Sequence, residues 1–368
     1  QMSNACELPV SVAGALMPDA HVGYGLPIGG VLATRGAVVP YAVGVDIACR
    51  VRVSIVDYPA DSFASKIPSM KDAIESETRF GMGAQFKLRR NHGVMDLNWG
   101  VTSITKKIKE GAWNQLGTSG SGNHFVEFGE IDLLENFQAL PKGRYTAFVS
   151  HSGSRGAGAQ VARYYSELAR AQHPKLPKRL QHLAWLDLDG DGQEYWEAME
   201  LMGAYAQANH ELIHEQVLDR LGFEVLCVVE NHHNFAWKEQ WAGQQVIVHR
   251  KGATPAGKGV LGYIPGTMID PGFLVEGLGN SAALNSSAHG AGRLMSRTQA
   301  RKTTSRHRLE QIVQERSVEL LSAGLDESPH AYKDIERVIR AQHDLVRIIG
   351  KFFPRVVKMA PEGERAED

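Results

Sequence analysis

The sequence predicts one α+β domain, on three observations. Short β-type runs and helical runs are mixed without regular βαβ alternation, which argues against a doubly wound parallel sheet. No linker-like stretch divides the 368 residues. A hydrophobic fraction of 43% with 22% charged residues is ordinary for a globular chain and sufficient for a large core.

The elements follow in chain order. Residues 1–60 are Gly-rich with short apolar runs, and Val51, Val53 and Ile55 alternate with Arg52 and Ser54 as in a half-buried strand. Residues 60–115 are polar and basic and are expected to form an insertion or lid. Further strands are predicted over Thr146–Ser150, Val225–Val229 and Val246–His249. Helices are predicted over Gly158–His173 and over Gln193–Leu221. In the second of these, Met199, Met202, Ala206, Ile213 and Val217 recur at helical spacing and Gly222 stops the run. Arg306–Ala323 and Lys333–Lys351 read as two C-terminal helices. The polar tail, residues 361–368, is expected to fray.

Net charge is −1, so a polyanionic partner would need a local basic groove. No apolar run is long enough to cross a bilayer, and no signal peptide is read at the start. Three scattered cysteines, Cys6, Cys49 and Cys227, do not make a disulfide framework, and the expected compartment is the reducing cytoplasm. The expected state is a monomer. The chain opens on Gln1, and native sequence is expected to precede it.

The fifteen histidines are informative by position. Five short segments each end a β-type run or open a Gly-rich loop, and each carries side chains able to bind metal. They are Gly44–Cys49, Gly120–His124, Ser150–Gly156, Asn231–Asn234 and Ser287–Arg293. Asp46 and Cys49, three apart, face one way on a single turn. A carboxylate, a thiolate and imidazoles from three other loops would suffice for two metals, and by softness and open positions the set admits zinc, manganese or iron. Any one of these residues alone would more commonly be an inert core Cys or His. His289 is different. Gly290 and Gly292 leave it sterically open, and Arg293 and Arg297 share a helical face beside it. That arrangement suits attack on a phosphorus centre, with guanidinium forks on the phosphate oxygens; the bland alternative is a loop histidine with two solvated arginines. Lys87, Arg89, Arg90, Arg301, Lys302, Arg306 and Arg308 are candidates for a basic groove or for solvated faces. His210 and His214 are four apart but lack the Glu of a metalloprotease helix, and read as a surface or structural pair.

Taken in order, the motifs Pro18-Asp19-Ala20-His21, Val45-Asp46-Ile47-Ala48-Cys49, Gly122-Asn123-His124, His151-Ser152-Gly153-Ser154-Arg155-Gly156, His233-Asn234, Arg250-Lys251-Gly252-Ala253, His289-Gly290-Ala291-Gly292-Arg293 through Arg297, and Ala331-Tyr332-Lys333-Asp334 resemble those of the RtcB family of RNA ligases over nearly the whole chain. The resemblance implies mixed sheets around a central metal and nucleotide cleft, with helices outside, and a start shortened by a few tens of residues. It implies that Asp46, Cys49, His124, His151 and His233 bind two Mn(II) ions, with Cys49 bridging. His233 is preferred over His232 because the family's ligand directly precedes an Asn, here Asn234.

His289 would take GMP from GTP, and Asp19 would lie near the reacting ends. Asn123, Glu127, Thr267, Gly290, Ala291, Gly292, Tyr332 and Lys358 would surround the guanylate. Arg155, Lys251, Arg293 and Arg297 would meet phosphates. The implied substrates are RNA with 3′-phosphate or 2′,3′-cyclic phosphate ends and 5′-hydroxyl ends, in RNA repair or tRNA splicing, with archease as a helper.

Two departures read as those of a divergent paralogue. Lys358 is offset from the family's C-terminal Val-Lys-Gly, and Gly272 stands where a hydroxyl side chain is usual. The competing readings are a metal-dependent phosphoesterase that no longer seals ends, and a non-catalytic RNA-binding paralogue.

Overall fold

The computed structural model describes residues 1–364; the last four residues of the expected frayed tail lie outside the described residues. The part of that tail which is described is tied down: Glu362 accepts from the Leu325 backbone N–H at 2.6 Å and pairs with Arg306 at 3.5 Å.

Among the described residues the principal sheet has eight strands. They are β4 (Arg50–Val56), β5 (Phe125–Leu133), β6 (Gly143–Ser152), β8 (Val225–His232), β12 (Leu261–Ile264), β13 (Gly272–Gly277), β15 (Glu319–Ser322) and β16 (Val346–Met359). The order is β12-β13-β16-β5-β6-β4-β8, with β15 pairing parallel to β16 and all other pairs antiparallel. The sheet curls until its end strands β12 and β8 touch. A second sheet runs β1-β2-β10-β9, from β1 (Ser11–His21), β2 (Ile28–Thr34), β9 (Asn234–Trp241) and β10 (Gln244–Lys251). Short pairs join β3 (Ala37–Val38) to β7 (Leu186–Asp187) and β11 (Ala253–Pro255) to β14 (Ser286–Ala288). Helices lie outside, as the α+β reading requires.

Alternation along the strands sorts the core. Val51, Val53 and Ile55 face inward with Val149, Phe352 and Val357. On the other side, Val126, Phe128 and Phe148 pack against Met70 and Ile74 of α3 (Phe63–Glu77) and Ile213 and Val217 of α6 (Asp191–Leu221). The 31-residue helix α6 ends at Gly222, whose φ of 67° supplies the left-handed cap the sequence suggests. It also packs against α4 (Ser103–Gln115) and α5 (Arg155–Gln172) through Tyr195, Met199, Tyr205 and Leu212. Segment 60–115 places Phe63, Met70, Ala73 and Ile74 in one core cluster and Val94, Met95, Trp99, Ile108 and Ala112 in another. Its Met82 reaches the rim of the cleft described below.

The two C-terminal helices are corrected. The run expected over Arg306–Ala323 is helical only as α8 (Arg306–Glu315), with Leu309 and Val313 buried on one side. Ser317 then takes a φ of 53°, which breaks the helix, and β15 follows. The run expected over Lys333–Lys351 keeps only α9 (Ile335–Arg340). From Val346 the chain becomes β16, paired between β13 and β5, because strand pairing on both sides overrides local propensity. Short helices α1 (Met2–Cys6), α2 (Pro40–Val43) and α7 (Arg297–Thr303) complete the fold.

Candidate metal and nucleotide centre

Register brings the polar segments together. In the principal sheet Arg50 is opposite both Ser152 and His232, and Phe125 is opposite His151. The residues just beyond these pairs, Asp46–Cys49, His124 and His233, therefore gather at one end of the sheet. Asp46 and Cys49 sit on a tight turn closed by a Cys49 N–H bond to the Asp46 carbonyl at 3.2 Å.

Cys49 Sγ lies 3.1 Å from His151 Nε2 and 3.4 Å from His124 Nε2. His124 Nε2 is 3.1 Å from Asp46 Oδ2, and His151 Nε2 is 3.2 Å from His233 Nε2. These side chains form two triads, Asp46–Cys49–His124 and Cys49–His151–His233, with ligand atoms in each triad within 4.8 Å of one another and Cys49 common to both. Burial pushes the His151 imidazole down to about 3 and His233 well below its ordinary range, so both are neutral. His151 Nδ1 donates to the Asn123 carbonyl at 3.1 Å, which leaves its Nε2 lone pair facing the cluster. Burial works against the Asp46 charge, but the His124 hydrogen bond and charge, with Arg155 behind them, outweigh it and draw Asp46 down to about 2.

The residues fit bound cations. Asp46, Cys49, His124, His151 and His233 are all buried, and the donor atoms of each triad lie close enough to share one ion. One thiolate, one carboxylate and three imidazoles are metal donors. Around them, Ser154 N–H donates to Asp46 Oδ1 at 2.9 Å, and Asn234 Nδ2 donates to the Asp46 carbonyl at 3.1 Å. Any Cβ at Gly153 would overlap the Asp46 carboxylate, so this loop position requires glycine.

The His289 ring stands 4.9 Å from that of His233, centroid to centroid, at the end of β14. Its Nδ1 donates to Asp19 Oδ2 at 2.7 Å, and the same oxygen accepts the His289 N–H at 3.1 Å. Asp19 is fully buried. Lys333 Nζ holds the backbone on both sides of it, donating to the Pro18 carbonyl at 3.1 Å and the Ala20 carbonyl at 2.7 Å. In a neutral imidazole this bond keeps the proton on Nδ1 and puts the lone pair on Nε2. His289 and all five metal-donor side chains line one cleft of about 1270 Å³.

A family model described as "tRNA-splicing ligase RtcB" matches residues 1–101 and 93–359. The chain belongs to the RtcB family. The RNA-splicing ligase RtcB of Escherichia coli K12 is 34% identical over 385 residues, covering 95% of this chain and 90% of that protein. The RNA-splicing ligase RtcB of Mycobacterium tuberculosis is 31% identical over 427 residues, covering 96% and 98%. The tRNA-splicing ligase RtcB of Thermococcus kodakarensis is 30% identical over 430 residues, covering 96% and 89%.

In this RtcB chain most of the expected nucleotide and phosphate residues line the same cleft: Asn123, Glu127, Thr267, Gly290, Ala291, Gly292, Tyr332, Arg155, Lys251, Arg293 and Arg297. Burial alone lifts Glu127 to about 8, a neutral carboxyl at pH 7. Thr267 Oγ1 donates to Asp270 at 2.6 Å. One expectation changes. Lys358 does not face the cleft. It sits between Val357 and Met359, which do, so alternation turns it to the other face of β16, where it pairs with Glu75 at 2.7 Å. Asp19 lies on the Nδ1 side of His289, hydrogen-bonded to its ring and backbone. His232 also turns away and stacks on Trp237 at 5.1 Å, leaving His233 in the cluster.

Lys251 is buried, its amine lowered to about 7 by burial, and donates to the carbonyls of Tyr24 at 2.7 Å and Tyr41 at 3.2 Å. Arg293 donates to Tyr332 Oη at 3.1 Å and the Asp326 carbonyl at 2.7 Å, and Arg297 pairs with Asp326 at 3.0 Å and with Glu327. The sequence reading missed Asp326 and Glu327; the available signal was an adjacent acidic pair five residues before Tyr332. The clusters Lys87–Arg90 and Arg301–Arg308 do not line the cleft. Arg89 pairs with Glu110 at 3.1 Å and Arg301 with Asp326 at 3.3 Å.

Proposed function

We propose that this chain is a GTP- and manganese-dependent RNA ligase, joining 3′-phosphate or 2′,3′-cyclic phosphate ends to 5′-hydroxyl ends through a His289–GMP intermediate. The observation that carries the reading is His289, with Nδ1 committed to buried Asp19 and its ring against the His233 side of a five-donor cluster.

Asp46, Cys49, His124, His151 and His233 would hold two Mn(II) ions, Cys49 serving both, and the ions would neutralise phosphate charge. His289 Nε2 attacks the α-phosphorus of GTP; the P–N bond forms and pyrophosphate leaves. The RNA 3′-phosphate then takes the guanylyl group, breaking the P–N bond and forming a diphosphate-linked end. A 5′-hydroxyl oxygen attacks the RNA-side phosphorus, loses its proton and expels GMP. A cyclic phosphate end takes up water first and becomes a 3′-phosphate. Asp19 keeps the proton on Nδ1 throughout, so that Nε2 serves as both nucleophile and leaving atom. Asn123, Glu127 and Thr267 line the part of the cleft assigned to guanine. A neutral Glu127 carboxyl can accept from purine N–H groups through its carbonyl oxygen. Arg155, Arg293 and Arg297 complete the phosphate side.

The reading places the enzyme in the cytoplasm as a monomer, with archease as its helper, acting in RNA repair or tRNA splicing. The test is incubation with α-labelled GTP and Mn(II), followed by a denaturing gel beside a His289→Ala control. The expected result is an acid-labile label on wild type and none on the variant, followed by RNA joining. A wild type that takes no label from GTP or ATP with any of several metals overturns the reading.

A further inference from the structure

We propose that Tyr24, at the lip of the cleft, is a stacking platform for an unpaired nucleobase beside the RNA break, so that the enzyme selects single-stranded ends. The inference rests on the RNA ligase reading and adds to it the form of the substrate.

The lip is apolar and open. Val22 is 86% exposed, Tyr24 70%, Leu294 64% and Met82 55%, and all four border the cleft. A single exposed apolar residue means little, but four around one mouth mark a contact surface.

Tyr24 is also held in place. Its carbonyl accepts from Lys251, which is buried and reaches the Tyr41 carbonyl as well. The Tyr24 ring leans on His182, with centroids 6.0 Å apart and planes at 59°, and His182 in turn packs on Tyr41 at 4.9 Å. The next residue, Gly25, has a φ of 69°, and a Cβ there would press on the His182 carbonyl. The segment is therefore a backed aromatic, pre-organised by a buried ammonium, with most of its surface left to solvent. Along the chain it lies five residues from Asp19, which holds His289.

Charge selects the occupant. Arg155, Arg163, Lys251, Arg293 and Arg297 line the cleft against the carboxylates Asp46 and Glu327 and a neutral Glu127, so cationic groups outnumber anionic ones there, while the whole chain carries −1. A ligand that brings phosphates to a cationic cleft and flat apolar faces to its rim is a nucleic-acid strand. A base can stack on the rim only where it is unpaired, and such stacking tolerates any sequence.

The test uses the full chain and short RNAs carrying 2-aminopurine next to a 3′-phosphate or next to a 5′-hydroxyl. Wild type should quench the fluorescence of at least one of these RNAs on binding. Tyr24→Ala should lose that quench, and Tyr24→Trp should retain it. In ligation, Tyr24→Ala should raise the KM for RNA by about 5- to 100-fold with a much smaller change in kcat. Equal quench and equal KM in wild type and Tyr24→Ala overturns the proposal. Equal loss in Tyr24→Ala and Tyr24→Phe also overturns it, because the hydroxyl and not the ring would then be responsible. Loss of a protein partner with RNA binding unchanged assigns the lip to that partner and overturns it too. The quench needs no turnover, so it reads stacking even where ligation fails. Failure to label His289 with GTP in wild type is the separate failure of the ligase reading.

Discussion

At Asp19 one carboxylate oxygen accepts from both the His289 ring and the His289 backbone. Asp19→Asn presents an amide there that can donate to Nδ1, which moves the imidazole proton to Nε2. The initial rate of His289 labelling is expected to fall by a factor on the order of 10² to 10⁴, with melting little changed, as rapid-quench labelling beside a thermal melt would show. Glu127 has a folded value of about 8 against an ordinary 4.5, so the folded state holds the proton more tightly than the unfolded one. Its stability contribution is complete below 4.5 and is lost as pH rises through 8. Glu127→Gln removes that dependence, so its melting temperature should gain on wild type steadily from pH 5 to pH 8.5; parallel curves would refute the assignment. Tyr263 carries a buried hydroxyl without a hydrogen-bond partner among the described residues. Tyr263→Phe should leave stability unchanged or raise it by about 1 kcal/mol in denaturant titrations.

Between β6 and α6 runs a directed chain of neutral groups. His210 Nε2 donates to the Ser152 carbonyl at 3.1 Å, and its Nδ1 accepts from Ser150 Oγ at 2.6 Å. Ser150 in turn accepts from His214 Nε2 at 2.9 Å, and His214 Nδ1 accepts from Ser54 Oγ at 2.8 Å. Burial drives both imidazoles well below their ordinary 6.5. The sequence reading called this pair surface or structural; it is structural, and α6 is buried along that face. Because the unfolded state takes up protons the folded state refuses, stability should fall as pH drops below about 6.5, by about 1.4 kcal/mol per pH unit for each histidine. His210→Ala should lower stability by about 2–4 kcal/mol and flatten part of that slope. The helices and strands with clean periodicity, α5, α6 and β4, were legible in advance. The second halves of the two C-terminal runs were not, because Glu319–Ser322 and Val346–Met359 become strands only by pairing with distant partners.

For the whole molecule, the cluster draws donors from the turn before β4, the loop before β5, the end of β6 and the link between β8 and β9. Cations that bind only this assembled state should raise the melting temperature, by the equivalent of about 2.7 kcal/mol at a hundredfold excess over Kd, and chelation should reverse the gain. Cys49 belongs to both triads. Cys49→Ala should therefore abolish the whole Mn(II)-induced shift, whereas His233→Ala should leave the part due to Asp46, Cys49 and His124. Equal losses in calorimetry would mean that the two triads do not act as separate sites.

The sequence by itself determined the α+β class, the family and the identity of the clustered donors and of His289, because those residues stand in short motifs whose order survives without knowledge of the fold. Only the tertiary structure decided where side chains point. It carried Lys358 to the back of β16, put Asp19 behind His289, and matched Arg293 and Arg297 to Asp326 and Glu327. The physical reason is that side-chain direction depends on strand register and on partners distant in sequence. A shift of one residue along a strand reverses the face, and nothing local marks which face will be the cleft.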